Sequence, residues 1–308
     1  MTSFDAYCEL QGTLDGSIYC DEPMARHTSY RIGGPVDLFI ECATIRDLNI
    51  TLATLGAYQI PWSVIGKGSN LLVSDEGFRG AAIRLGAEFK GFSLPDTAND
   101  QRSIIAGGGV VLSNLVQAAF KNGLSGFEFA VGIPGTLGGA LFMNAGSIHE
   151  WIGNIVDSLT ILRPGEGLVR YKGSDLPWRY RTSGVAPGEI ILESELRVVP
   201  GNIGLIRARM EGSLNRRKKT QPLTKPNAGS IFRNPEGDFA GRMIDALGLK
   251  GHTIGGAQVS ELHANFIINT GTATAADVIA IIKYIRQRVK DEYGTDLQLE
   301  IRFIGFDT

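Results

Sequence analysis

The stretch KPNAGSIFRNP, residues 225 to 235, places Ser230 between Gly229 and the apolar pair Ile231 and Phe232, and closes with Arg233, Asn234 and Pro235. A glycine beside a serine lets backbone or ligand come close, and arginine and asparagine are good donors to an anion. The four histidines, His27, His149, His252 and His263, are scattered, and none lies near enough in sequence to activate the hydroxyl. No G-x-S-x-G elbow occurs, which argues against an ordinary serine hydrolase. No HExxH or Cys/His ligand spacing occurs either, so no transition metal is expected. Gly66-Lys67 is followed by Gly68, so there is no P-loop, and the same tripeptide lacks the third glycine of a dinucleotide fingerprint and runs into a strand pattern.

Glycine is the compositional outlier, with 40 residues in clusters. Consecutive small residues expose backbone N–H groups, and a curved run of them makes an anion-binding nest. Two loops, 66 to 70 and 132 to 140, could together hold a diphosphate. Ser69 and Asn70 add side-chain donors to the first; Pro134 stiffens the second, and Thr136 offers it a hydroxyl. The alternative is that both are tight turns in a β-rich domain.

Several elements must position these residues. A strand follows Gly33 and Gly34 in RIGGPVDLFIECA, and two short apolar runs flank the turn Gly66 to Asn70. Arg46 to Leu55 reads as a helix, Leu94 to Gln101 as polar and turn-rich, and Ile104 to Ala106 as a strand before the triple glycine Gly107 to Gly109. Helical spacing of Leu112, Leu115, Val116 and Ala119 marks a helix between Val110 and Asn122. Ile155 to Leu162 and Glu189 to Val199 read as strands around a hairpin-like loop at Pro164-Gly165. Residues 204 to 219 form a helix whose basic end, Arg216 to Lys219, complements its dipole. Thr274 and Asp277 give a capping-box start, Val278, Ile281, Ile282, Ile285 and Val289 share a face, and Gly294 stops the helix. In the closing LQLEIRFIG, alternation puts Leu299, Ile301 and Phe303 on one face and Glu300 and Arg302 on the other.

The chain has 308 residues, 43% of them apolar, a net charge of −2 and three cysteines. That length suits two or three domains. No basic field exists to attract nucleic acid or an anionic membrane. MTSFDAYCEL has no basic lead or apolar run of signal-peptide kind, and no stretch reaches the ~18 apolar residues of a membrane span. Cys8, Cys20 and Cys42 form no CxxC pair, a reduced, cytosolic pattern. The fold expected from the residues is mixed, α/β or α+β, with a glycine-rich N-terminal two-thirds and a compact C-terminal domain, 201–308.

The strings HTSYRIGGPVD, VIGKGSNLLVSD, GFEFAVGIPGTLGGALFMNAG, YRTSG, TQPLTKPNAGSIFRNP, LKGHTIGGAQVSELHANFIIN and LEIRFIG occur in this order between residues 27 and 305. Together they resemble the UDP-N-acetylenolpyruvoylglucosamine reductase (MurB) family of peptidoglycan precursor synthesis. The resemblance implies an FAD-binding fold of the vanillyl-alcohol-oxidase type in two subdomains, 1–85 and 86–200, and a substrate-binding domain from 201. It implies that NADPH reduces a non-covalent FAD, which passes hydride to the enolpyruvyl ether of UDP-N-acetylglucosamine enolpyruvate. The diphosphate of FAD would lie on Gly66, Lys67, Gly68, Ser69, Asn70 and Leu71, and on Gly132, Ile133, Pro134, Gly135, Thr136, Gly138, Gly139 and Ala140.

By the same resemblance Ser230 is the general acid, Arg181 grips the substrate carboxylate, and Glu300 assists charge build-up with a pKa raised above about 4.3. Without the family, Arg181 reads as a strand-edge arginine and Glu300 as half of an exposed ion pair. Tyr180, Lys219, Asn234, Lys250 and His263 fall where the family contacts the UDP-sugar, and Lys219 is also a candidate for NADPH phosphate. The short span between Asn234 and Lys250 resembles the shorter, type II branch. Departures are SIHEWIGN after MNAG, Leu262, and Arg233 where lysine is frequent. A cytoplasmic enzyme, monomeric or weakly dimeric, is implied. An FAD-dependent oxidase of the same fold is the alternative, though neither loop holds a histidine or cysteine to link a flavin.

Overall fold

Threonine caps decide where two of the longer helices begin. Thr44 accepts from the Asp47 N–H at the start of Ile45–Ala57. Thr274 and Asp277 close a reciprocal capping box before Ala275–Tyr293, and Gly294 stops that helix in the left-handed region at φ 67°. In the computed structural model, which describes residues 2–95, 102–147 and 149–306, the elements run in sequence order as follows. Helix α1 (Ser3–Leu10) precedes strands β1 (Ser17–Pro23) and β2 (Pro35–Cys42), helix α2 (Ile45–Ala57) and strands β3 (Trp62–Val64), β4 (Leu71–Val73), β5 (Phe78–Leu85), β6 (Phe92–Ser93) and β7 (Ser103–Gly107). Helix α3 (Leu112–Lys121), strand β8 (Leu124–Ser125), helix α4 (Leu137–Phe142) and strands β9 (Val156–Arg163), β10 (Gly167–Lys172), β11 (Ile190–Arg197) and β12 (Val199–Pro200) follow. Helices α5 (Ile203–Thr220) and α6 (Ala240–Ala246), strands β13 (Thr253–Ile254), β14 (Ala257–Val259) and β15 (Ile267–Asn269), helix α7 (Ala275–Tyr293) and strand β16 (Arg302–Ile304) complete an α+β fold. The turn-rich stretch expected at 94–101 lies mostly outside the described residues.

Two compact units result: Met1–Cys20, Leu38–Gly66 and Gly80–Asn215 form the first, and Asp21–Asp37, Lys67–Arg79 and Arg216–Thr308 the second. Residues 21–37 and 67–79 thus join the C-terminal unit, a partition that no composition shift announces. The first unit contains two cores. One gathers Leu38, Ile40, Leu48, Leu55 and Ile83 and takes in Leu162, Ile190 and Leu192; the other gathers Ile104, Leu115, Leu159, Ile161 and Leu196. β3 lies parallel to β5 in a four-stranded sheet of order β1-β2-β5-β3, and the larger sheet runs β10-β9-β11-β7-β6 with antiparallel neighbours. The Pro164-Gly165 turn joins β9 to β10, with Gly165 and Gly167 at φ 84° and 97°. β10 alternates half-buried and exposed residues, which is why its mixed sequence gave no strand pattern.

In the second unit α7 buries Val278, Ile281, Ile282, Ile285 and Val289 in a core shared with Ile231, Phe232, Val259 and Ile267. β13-β14-β15 is a small antiparallel sheet, and β16 pairs in parallel with β4. The alternation expected along LQLEIRFIG is corrected here. Leu297 and Ile301 are buried, but Phe303 is 37% exposed and Ile304 is inside. A bend at Ile301 separates the bridge at Leu299 from β16, shifting the buried face by one residue. Among the described residues no helix is long and apolar enough to cross a membrane.

Candidate active site

Ser230 and Glu300 lie on neighbouring stretches of the second unit. The Glu300 N–H donates to the Ile231 C=O at 2.8 Å, and the Arg233 N–H donates to the Gln298 C=O at 2.8 Å. Phe232 and Leu299 form the antiparallel bridge between these bonds. Upstream, the Gly229 N–H donates to Asn227 Oδ1 at 2.9 Å, with Gly229 at φ 78°. A turn that only glycine adopts easily therefore leads into Ser230, which is half-buried. Among the described residues no side chain hydrogen-bonds the Ser230 hydroxyl, so no base stands ready to make it a nucleophile. Asn70 Nδ2 donates to the Glu300 C=O at 3.3 Å, and the Arg302 N–H donates to the Asn70 C=O at 2.9 Å. The Gly68-to-Leu71 loop thus braces the Glu300 strand. Desolvation first, and then the nearby Arg233 cation, lower the Arg302 guanidinium below its ordinary range. Arg233 Nε is buried with no partner among the described residues. Two like charges brought together in this way favour an anion or a developing negative charge beside them.

Arg181 lies in the first unit, in the tight turn between Arg179 and Thr182. The Arg179 N–H donates to the Thr182 C=O at 3.0 Å, and the Thr182 N–H to the Arg179 C=O at 3.1 Å. Arg181 adopts φ 58°, a left-handed conformation unusual for a non-glycine residue. Its Nη1 donates to the Gly146 C=O at 3.1 Å and its guanidinium lies 5.0 Å from the Tyr180 ring centre. The buried Asn144, itself at φ 44°, donates from Nδ2 to the Arg179 C=O at 2.9 Å and accepts from the Gly153 N–H at 3.0 Å. At the departure after MNAG, Gly146 is bridged to Trp151, and the Ser147 N–H donates to the Glu150 C=O at 2.7 Å. The Gly146 carbonyl beside this bridge is thus one group that holds Arg181.

The glycine loops divide between the units. In the first, a Cβ on Gly66 would come within 2.4 Å of Thr136 Oγ1, and one on Gly138 within 2.9 Å of the Gly108 C=O. Both glycines are therefore needed for close approach, and the two loops meet at Gly66 and Thr136. The 132–140 nest is smaller than expected. The N–H groups of Ile133, Leu137, Gly138 and Ala140 donate to backbone carbonyls, and that of Gly139 to Thr136 Oγ1. Gly132, Gly135 and Thr136 keep N–H groups without a protein acceptor among the described residues, and Gly132 and Gly135 have φ 76° and 121°. In the second unit a Cβ on Gly68 would meet the His27 C=O at 2.1 Å, so Lys67 to Asn70 turn tightly against HTSYR.

Of the other expected contacts, Asn234, Lys250 and His263 come together around α6 in the second unit, while Lys219 ends α5 and Tyr180 belongs to the first unit. Lys219 is in the exposed last turn of α5. Lys250 is paired with Asp245 at 2.7 Å. Asn234 Oδ1 accepts from the Ala240 N–H at the start of α6. His263 packs against Phe266 at a tilt of 59°, with ring centres 4.8 Å apart, and burial, then the Lys250 charge, lower its pKa from the ordinary value. Tyr180 is exposed beside Arg181. Among the described residues no group of His, Cys, Asp or Glu could hold a metal ion.

Sequence reasoning missed the buried asparagines Asn144 and Asn265, which anchor the segments carrying Arg181 and Ser230. A polar residue inside an apolar run, as in LFMNAG and HANFIIN, was the available sign, because a buried amide must find partners.

Residues 36–170 match the model of an FAD binding domain, and residues 221–304 match that of the UDP-N-acetylenolpyruvoylglucosamine reductase C-terminal domain. The chain is 46% identical to a UDP-N-acetylenolpyruvoylglucosamine reductase of Heliobacterium modesticaldum, over 92% of this chain and 90% of the relative. With that of Geobacter metallireducens it shares 45% identity over 98% of both chains. It superposes on the crystal structure of UDP-N-acetylenolpyruvylglucosamine reductase (MurB) from Thermus caldophilus with a TM-score of 0.80 at 34% identity, covering 94% of this chain and 99% of that one. At this identity over almost its whole length, the chain belongs to the UDP-N-acetylenolpyruvoylglucosamine reductase family, with that family's FAD-binding fold ahead of its C-terminal domain.

Proposed function

We propose that this protein reduces the enolpyruvyl group of UDP-N-acetylglucosamine enolpyruvate to the lactyl ether of UDP-N-acetylmuramate, with NADPH as hydride source and Ser230 as proton donor. The observation that carries the reading is the Ser230 segment. Among the described residues no side chain is hydrogen-bonded to its hydroxyl, the Ile231 C=O that follows accepts from the Glu300 N–H, and Arg233, three residues on, acts by its charge on Arg302. FAD, when bound, would supply the hydride chemistry that links NADPH to the terminal enolpyruvyl carbon. In the first unit the glycines that a Cβ would fill at 66 and 138, with the N–H groups of Gly132, Gly135 and Thr136, suit its diphosphate.

The remaining roles belong to side chains. Arg181 grips the substrate carboxylate with its planar fork and stabilises the charge that grows there. Glu300 assists the build-up of that same charge. Ser230 gives its proton to the adjacent carbon, and the positive field of Arg233 and Arg302 favours the alkoxide left behind. Lys219, Lys250, Asn234, His263 and Tyr180 supply contacts to the sugar nucleotide, Lys250 by leaving Asp245 for a phosphate. The reading carries with it a cytoplasmic enzyme, monomeric or weakly dimeric.

An anaerobic titration tests the proposal. The yellow protein should bleach with NADPH and regain its colour on adding the enolpyruvyl UDP-sugar, with product formed in equal amount. Re-oxidation by oxygen alone, with no response to the UDP-sugar, would point to an oxidase and refute the reductase.

A further inference from the structure

Burying an amide is unfavourable unless every polar atom finds a partner, and Asn265, 3% exposed among Ala264, Phe266 and Ile267, satisfies that condition in an unusual way. Both ends of its side chain go to one residue. Oδ1 accepts from the Phe232 N–H at 3.0 Å, and Nδ2 donates to the Phe232 C=O at 2.8 Å. The amide orientation is fixed by its partners, since an N–H only donates and a carbonyl only accepts. The Asn265 backbone C=O accepts from the Ile231 N–H at 2.9 Å. The residue's own N–H is held by His263 Nδ1 at 3.2 Å. The three contacts made by its carboxamide and carbonyl therefore fall on the two residues that follow Ser230.

The segment needs them because it has no strand of its own. Between Asn227 and Phe232 only isolated bridges occur, Asn227 to Ile268 and Phe232 to Leu299. The carboxamide of Asn265 copies the edge of a peptide and supplies the pair of ladder bonds that a neighbouring strand would give. On the opposite side the Glu300 N–H and the Gln298 C=O complete the hold. We propose that Asn265 is a positioning residue for proton transfer, fixing Ser230 rather than merely stabilising the core; this rests on the reading of Ser230 as proton donor. A serine is a weak acid, and a misplacement of about 1 Å costs on the order of 100-fold in rate.

The test compares the two half-reactions of the FAD-loaded enzyme by anaerobic stopped flow in Ser230→Ala, Asn265→Ala, Asn265→Asp and the double Ser230→Ala/Asn265→Ala variant. Asn265→Asp is nearly isosteric; it keeps the acceptor for the Phe232 N–H but sets an oxygen against the Phe232 C=O, so it serves if Asn265→Ala fails to fold. Flavin reduction by NADPH should stay within about twofold in both Asn265 variants. Re-oxidation by the enolpyruvyl UDP-sugar should slow by roughly 100-fold. The double variant should be no slower than Ser230→Ala alone, because a residue that acts through Ser230 has nothing left to act on. Hydrogen exchange of Asn265→Ala should show the Ile231 and Phe232 amides losing about tenfold or more of their protection while β14 and β15 keep theirs. An unchanged re-oxidation rate, an equal fall in both half-reactions, or additive slowing in the double variant would overturn the proposal. A slow Ser230→Ala beside a fast Asn265→Ala sinks the positioning role alone. Full-rate re-oxidation in Ser230→Ala sinks the assignment of Ser230 itself, and the positioning role with it.

Discussion

From Ile231 to Arg233 every backbone N–H has a fixed acceptor, whereas the turn at Arg181 closes on the paired backbone bonds of Arg179 and Thr182 and is held largely through side chains, those of Asn144, Arg181 and Ser183. The first segment contributes Ile231 and Phe232 to the core; the second exposes Tyr180 at its tip. Their backbones differ as sharply. Ser230 is reached through a glycine turn, while Arg181 itself occupies the left-handed region at φ 58°. The contrast fits the role proposed for each side chain. A proton donor works only within hydrogen-bond reach of one carbon, so its backbone is clamped on both edges. A guanidinium acts through charge over a longer range, and a turn held at its base is enough to present it.

The largest expected effect breaks the comparison at its rigid end. Ser230→Ala should slow flavin re-oxidation by the enolpyruvyl UDP-sugar by roughly 10³-fold, about 4 kcal/mol of barrier, within the usual range for a general acid. Reduction by NADPH should stay intact. Arg181→Lys keeps the charge but loses the fork, and should lower kcat/KM by about 10²-fold, mostly by raising KM. Stopped-flow traces of the flavin absorbance report both; an Arg181→Lys enzyme with wild-type KM would show that the flexible end is not gripping substrate.

Next in size is Asn144→Ala. It removes a buried donor to the Arg179 C=O and an acceptor from the Gly153 N–H, at a position with φ 44° that alanine tolerates poorly. About 2 kcal/mol of stability should go, read as a shift in the urea midpoint. KM for the UDP-sugar should rise about tenfold as the Arg181 turn loosens. If stability falls while KM holds, Asn144 serves the fold and the Arg181 turn stands without it.

The same contrast explains what could be read in the sequence. Thr274, Asp277 and Gly294 announced both ends of α7, because caps are local chemistry. The apolar rhythm from Leu112 to Ala119 announced α3 for the same reason. The LQLEIRFIG alternation failed at Ile301, where a bend is set by the bridge from Leu299 to Phe232, 67 residues earlier in the sequence. The 132–140 loop offered more donors in sequence than in space, since the carbonyls of Gly108 and Val110 claim two of them. Ser230, Arg181 and Glu300 were legible only as a family pattern; by residue type alone Arg170 and Arg179 resemble Arg181. Asn144 and Asn265 went unread because their partners, Arg179 and Phe232, lie more than thirty residues away.

A smaller effect isolates the strain at the flexible end. Arg181→Ala keeps a Cβ in the left-handed region, and Arg181→Gly does not, while both lose the bond to Gly146 and the contact with Tyr180. The glycine variant should therefore exceed the alanine variant in folding stability by about 1 kcal/mol, with neither turning over the substrate. Thermal melts of the two variants, side by side, give the answer. Equal melting temperatures would mean that the turn relaxes and stores nothing at Arg181.

The smallest effect belongs to the rigid end and depends on pH. His263 Nδ1 accepts from the Asn265 N–H, so the ring must be neutral at that nitrogen. Burial, then the Lys250 ammonium, lower its pKa in the fold, opposed by the nearby Asp245 carboxylate and by the ring's backbone bond. A lowered value means that the unfolded chain takes the proton first. Stability from this group is then complete above the unfolded value of about 6.5 and is lost as pH falls through the folded one. The ring is not fully shielded from solvent, so the loss should stay below about 1 kcal/mol. His263→Asn, whose Oδ1 can take over the acceptor role, should flatten the fall in melting temperature between about pH 7 and 5. The re-oxidation rate should follow the same curve if the His263–Asn265 contact steadies Ser230. A wild-type enzyme whose re-oxidation is flat across that window, while its melting temperature drops, would confine His263 to stability and leave Asn265 to hold the segment without it.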